Sequence, residues 1–228
     1  MGIQLAQTPA MNAFFAWSEA SRTVGNGTDP RSSENGLLTI FYGSVEHAAR
    51  FDWLNAGRTL VDKTYIDILR KARNIPEAGL STLRVASDLD SFIRNHIEPV
   101  WDQIEHGDHD LRHQLAIDLT TAMAEEVFSS DQPQRSASWL MFYLCPQLPV
   151  FPMAAQLIAQ ILKEQPSGTL DYPLFHKLCR ERYSRALPHI HSQPPASLYG
   201  NEKEREVIKA VLRSSDWWQR RCFIDYLS

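Results

Sequence analysis

The stretch SASWLMFYLCPQLPVFPMAAQLIAQIL, from Ser136 to Leu162, sets the tightest limit on what this chain can fold into. It is too apolar to be left on a surface. It is also too broken to cross a bilayer. A spanning helix needs about 18 apolar residues in a row, whereas Pro146, Pro149 and Pro152 break this run and Gln147, Gln156 and Gln160 interrupt it. What remains is a buried corner. One apolar helix runs into the turn CPQLP, with Pro149 and Pro152 near the first turn of a second helix. Val150, Met153, Ala154, Leu157, Ile158, Ile161 and Leu162 form that helix's seam.

Helical periodicity holds elsewhere too. Phe92, Ile93, Ile97, Val100, Trp101 and Ile104 form a stripe after a cap at Ser87 or Asp88, and Pro99 inside it predicts a kink. Beyond Gly107, Asp108 or Asp110 caps a helix in which Leu111, Leu115, Leu119, Met123 and Val127 recur every fourth residue. Asp171 with Pro173 starts YPLFHKLCRERYSRAL. Asn201 with Glu204 has the form of a capping box, and Ser215 or Asp216 caps the last helix. Only Leu37–Tyr42 is short and apolar enough to be a strand, and it reads equally as a helical turn. The expected fold is all-α, with about nine or ten helices. Pro166–Thr169 marks a boundary between an N-terminal bundle (1–165) and a C-terminal helical part (170–228), unless the two form one cooperative domain.

At 228 residues the chain can bury a sizeable core without cross-links. Its cysteines, Cys145, Cys179 and Cys222, are odd in number and scattered, which fits neither a disulfide framework nor a zinc knuckle. They point to a reducing compartment, and the cytoplasm is the expected location. The N-terminus lacks the basic region and apolar run of a signal peptide, and Ala6 stands where myristoylation wants Ser or Thr. A net charge of −4 argues against a general nucleic-acid coat but leaves room for a local basic face.

Such a face is drawn by Lys177, Arg180, Arg182 and Arg185, which together cover about half of one helix at about 100° per residue. Arg220 and Arg221 lie beside Trp217 and Trp218 in DWWQRR. Basic and aromatic residues together serve phosphate-backbone and single-strand binders, and a tryptophan beside arginine also suits a protein interface. The competing reading is a solvated helix face whose arginines pair with acids of NEKERE. The densest histidine cluster is EHGDHDLRH. His109 and His113, four apart, share a helix face as zinc ligands often do, and with His106 they are the candidate metal ligands. Asp110 stands where HExxH would have its general base. A solvated, capped turn is the plainer account of the same residues. There is no nucleophile elbow, phosphate loop or dinucleotide fingerprint.

Ser136, Ser138, Leu140, Phe142, Pro146 and Pro149 give SASWLMFYLCPQLPVFP an outline that resembles a segment of helical proteins similar to 8-oxoguanine DNA glycosylases. Trp139 stands where that outline has its lysine, and Pro152 roughly where it has its acid. The resemblance therefore implies a scaffold kept for binding, with the amine and carboxylate of base excision gone. In NIPEAG, Glu77 likewise replaces the first glycine of a helix-hairpin-helix turn, and the segment reads as a helix stop. The expectation is a non-enzymatic helical component of a larger assembly. It would contact a protein partner, DNA or both through its C-terminal third, without cofactor or membrane. A glycosylase-like DNA-processing enzyme and a metal-dependent helical enzyme are the alternatives.

Overall fold

The computed structural model describes residues 82–128, 132–145, 147–164, 170–190 and 216–226. Among the described residues there are helices and their connections and no strand, so this part of the chain is all-α. It holds fewer helices than the nine or ten expected. The remaining predicted segments, including Leu37–Tyr42, NIPEAG and the Asn201 capping box, lie outside the described residues.

The first helical rod runs from Thr82 to His106 through three changes of pitch. Helix α1 (Thr82–Phe92) passes into a π-turn (Ile93–Ile97), a 3-10 turn (Glu98–Val100) and helix α2 (Trp101–His106). Pro99 explains this. In an α-helix it would lack its own hydrogen bond and press its ring on the preceding turn. The rod instead widens, with Glu98 N–H donating to the Ile93 carbonyl, then tightens, with Trp101 N–H donating to that of Glu98. The stripe survives: Phe92, Ile93, Ile97, Trp101 and Ile104 are buried. Ser87 and Asp88, expected as caps, lie inside α1.

Gly107 ends the rod. A β-carbon there would collide with the Gln103 carbonyl, so only glycine lets the chain fold back so tightly. Helix α3 (His109–Glu126) begins two residues later, with the Asp108 carboxylate accepting from Leu111 N–H at 2.8 Å. Its inner face is His113, Ala116, Leu119, Thr120, Met123 and Ala124. The expected four-residue repeat gains about 40° on the helix at each step. Leu111 is accordingly exposed, and His113 and Thr120 take core positions.

Helix α4 (Pro133–Leu144) packs along α3 and is buried around most of its girth, from Ser136 to Phe142 and again at Leu144. Pro146 stops it by disfavouring helical geometry at Cys145, whose φ and ψ are −131° and 72°. The chain then crosses the core as a buried arm, Leu148 to Ala154, before helix α5 (Ala155–Glu164). Pro149 and Pro152 thus precede the second helix rather than opening it. The arm folds through two three-residue turns, Val150 N–H to Leu148 O at 2.8 Å and Ala154 N–H to Pro152 O at 2.7 Å. Ser138 pins it: its hydroxyl donates to Arg135 O and accepts from Met153 N–H, both at 2.9 Å. The apolar block is therefore a buried corner. Of its seam, Leu157 and Ile161 are buried and Leu162 is exposed.

Helix α6 (Tyr172–Ala186) starts at Asp171, whose carboxylate accepts from Leu174 N–H at 2.9 Å, with Pro173 in its first turn. It packs on α3 and α5 through Tyr172, Phe175, His176, Cys179, Tyr183 and Ala186, spaced at three and four residues. Helix α7 (Trp217–Tyr226) packs on α6. Trp217, Phe223 and Ile224 belong to the same buried cluster as Phe142 and Phe151, so one core draws on residues from both sides of Pro166–Thr169. No helix among the described residues is long and apolar enough to cross a membrane.

Candidate functional site

Two polar groupings lie on α6 and the helices packed against it. The first is a file of imidazoles. His109 and His113 sit one turn apart on α3, with their Nε2 atoms 3.3 Å apart. The Nδ1 of His113 lies 3.4 Å from Nε2 of His176 on α6, and that same His176 nitrogen lies 3.0 Å from the Pro149 carbonyl of the buried arm. The file runs from solvent to core: the side chain of His109 is 73% exposed, His113 is 6% exposed and His176 is 1% exposed. Phe151 and Tyr172 stand edge-on to His176 at 5.3 and 5.9 Å.

A carbonyl only accepts, so His176 Nε2 carries a proton to make its bond to Pro149. His113 Nδ1 is then the acceptor beside it, and neutral His113 places its own proton on Nε2, toward His109 Nε2. At the outer end Arg180 approaches His109 Nδ1 at 3.1 Å and would prefer the reverse order. The buried end decides. Leaving the Pro149 carbonyl without its donor costs about 1–3 kcal/mol, whereas exposed Arg180 keeps a strong bond to Asp110 at 2.7 Å either way. Burial first, then the neighbouring charges of His176, Arg180, His109 and Arg220, lowers His113 from 6.5 to about 3. Burial likewise lowers His176 to about 4, against the raising effect of its bond to Pro149. Both rings are neutral at pH 7.

His106 does not join them. It points to Asp102 and Glu105, at 4.0 and 3.8 Å, and its side chain is 72% exposed. The structure thus brings together His109 and His113 of the three candidate ligands and adds His176. Because His113 meets its neighbours through different nitrogens, the rings follow one another and do not surround a point. Among the described residues no group of three or more His, Cys, Asp or Glu side chains is placed to hold a metal ion.

The second grouping is the basic surface. Lys177 and Arg185 are exposed on α6. Arg180 reaches Asp110 on α3, whose carboxyl is lowered chiefly by that hydrogen bond. Arg182 reaches Glu164 on α5 at 2.6 Å. The acids are therefore those of neighbouring helices, and the NEKERE acids lie outside the described residues. On α7, Arg221 is half-buried and Arg220 is fully buried, its guanidinium donating to Asp216 at 2.8 Å. Burial lowers the Arg220 pKa against the pull of Asp216. Trp217 is buried too, stacked on Phe142 with ring centres 4.9 Å apart. The side chain of Trp218 lies outside the described residues.

Trp217 also closes an open hydrogen bond. The Phe142 carbonyl of α4 would normally accept from the residue four later, which is Pro146 and has no N–H. The indole Nε1–H of Trp217 takes that place at 2.7 Å. Cys145 and Cys179 are buried, and burial pushes the Cys145 thiol up to about 12, so these are packing groups and not nucleophiles. Trp139 and Pro152, at the places of the lysine and the acid in the glycosylase outline, are both buried.

The place of His176 beside His113 and the pairing of Asp110 with Arg180 were not read from the sequence. His176 is 63 residues from His113, and its one sequence signal is its place on the buried stripe with Tyr172, Cys179 and Tyr183. Comparison with protein-family models, curated proteins and solved structures finds no match to this chain. The described residues are thus an all-α body with a partly neutralised basic helix and a histidine file that runs from solvent into the core.

Proposed function

We propose that this chain is a non-enzymatic helical component of an assembly and that it docks a protein partner on the outer face of α6. The observation that carries the reading is the neutralisation of the basic helix. Arg180 and Arg182 are each held by a carboxylate from another helix, Asp110 at 2.7 Å and Glu164 at 2.6 Å. Those two cations are spent within the fold, and Arg220 is buried. The outward residues are Leu174, Lys177, Glu181, Ser184 and Arg185, a mixture of apolar, acidic and basic groups. Phosphate recognition asks for uncompensated positive charge, whereas the polar rim of a protein interface accommodates both signs.

Titration of labelled duplex and single-stranded DNA at two salt concentrations tests this. The reading expects weak binding, little changed by Lys177→Glu with Arg185→Glu. Tight binding that falls steeply with salt and is lost in that double variant would replace the protein partner with a nucleic acid.

A further inference from the structure

We propose that the His109–His113–His176 file is a pH-sensitive latch between α3 and α6, closed while its rings are neutral and opened by mild acid. This does not depend on what α6 binds. The Pro149 carbonyl fixes a proton on His176 Nε2; that N–H is shared between Pro149 O and His113 Nδ1, and His113 in turn donates from Nε2 to His109. In that order each of the two ring-to-ring contacts holds one proton and has no room for a second.

A proton arriving from solvent at His109 Nε2 sets N–H against N–H across the 3.3 Å contact. Passing it inward moves the collision without removing it, because His113 then presents Nδ1–H to His176 Nε2–H across 3.4 Å. The remaining nitrogen off the file at the inner end, His176 Nδ1, belongs to a ring that is 1% exposed. The charged groups around the file come from three helices. Arg180 from α6 and Arg220 from α7 oppose a further positive charge on His113 and His176. Arg112 of α3 donates to the Gln147 carbonyl beside the arm. Asp110 stands at the solvent end, 3.5 Å from His109 Nδ1. Acid therefore protonates His113 and His176 only when α3 and α6 part.

Hydrogen exchange of backbone amides in α3 and α6 at pH 7.0 and 5.5, corrected for intrinsic rates, tests the latch. Each buried histidine that takes up a proton on opening raises the open population about tenfold per pH unit below about 6.5. The wild type should thus lose protection in both helices by about tenfold to hundredfold between those pH values. His113→Gln with His176→Gln keeps an amide donor for Pro149 but cannot titrate, and should flatten the response. Equal protection at both pH values, or a double variant that follows the wild type, overturns the proposal. Should that variant fail to fold, ring-proton NMR titration of the wild type decides: the latch requires half-points for His113 and His176 well below 6.5, and half-points near 6.5 overturn it.

Discussion

Replacing Trp217 by phenylalanine tests how the corner and the last helix depend on each other. The phenyl ring can keep the stack on Phe142, whose centre lies 4.9 Å away, but it cannot donate to the Phe142 carbonyl. Within α4 that carbonyl's helical partner is Pro146, which has no N–H to offer. The buried acceptor then loses this donor, at about 1–3 kcal/mol. The smaller ring also leaves a void at a site only 4% exposed, which adds about 1 kcal/mol. Together these give a loss of about 2–4 kcal/mol, or a melting temperature lower by roughly 4–16 °C in a chain of this size. Urea unfolding followed by far-UV circular dichroism, at unchanged slope, measures it. A loss below about 0.5 kcal/mol, the scatter of an ordinary surface substitution, would mean that the indole N–H does not complete α4.

Stability should fall with acid. Because His176 is held near 4 against 6.5 when unfolded, its contribution is complete above pH 6.5 and is lost progressively as pH drops toward 4. Between pH 7 and 5 this amounts to about 2 kcal/mol, with about 1 more from His113, discounted because it lies nearer solvent; unfolding curves independent of pH over that range would refute it. Gly107→Ala should destabilise by about 1–3 kcal/mol, since its β-carbon meets the Gln103 carbonyl; calorimetry showing an unchanged or raised melting temperature would contradict that turn. Arg220→Glu should lower stability by about 3–5 kcal/mol, because it sets a carboxylate beside Asp216 in the core, and a stably folded variant would show that the guanidinium is not buried. Purified protein should show no cleavage of abasic or damaged duplexes, and turnover abolished by one side-chain change would restore the enzyme reading.

The parts of the fold legible in the sequence were those fixed by short-range physics. Asp108 and Asp171 cap as their spacing predicts, and the stripe from Phe92 to Ile104 is buried because only helical spacing unites it. What escaped depends on partners distant in the chain or on compensation. Around Pro99 the pitch changes from π to 3-10, an irregularity whose form periodicity does not specify. Leu111 drifts out and His113 turns in, since a polar ring fills a core position once His176 stands opposite. Arg220 read as surface on charge alone, and only Asp216 four residues earlier hinted that its charge is met inside the fold.

The docking face is tested most directly by affinity capture from native extract, run in parallel with the wild type and the Lys177→Glu/Arg185→Glu double variant. Nucleic acid and protein are quantified in both eluates. The account predicts a protein species recovered with the wild type, insensitive to nuclease and depleted with the variant. Equal recovery by both chains, or capture that vanishes on nuclease treatment, would contradict it.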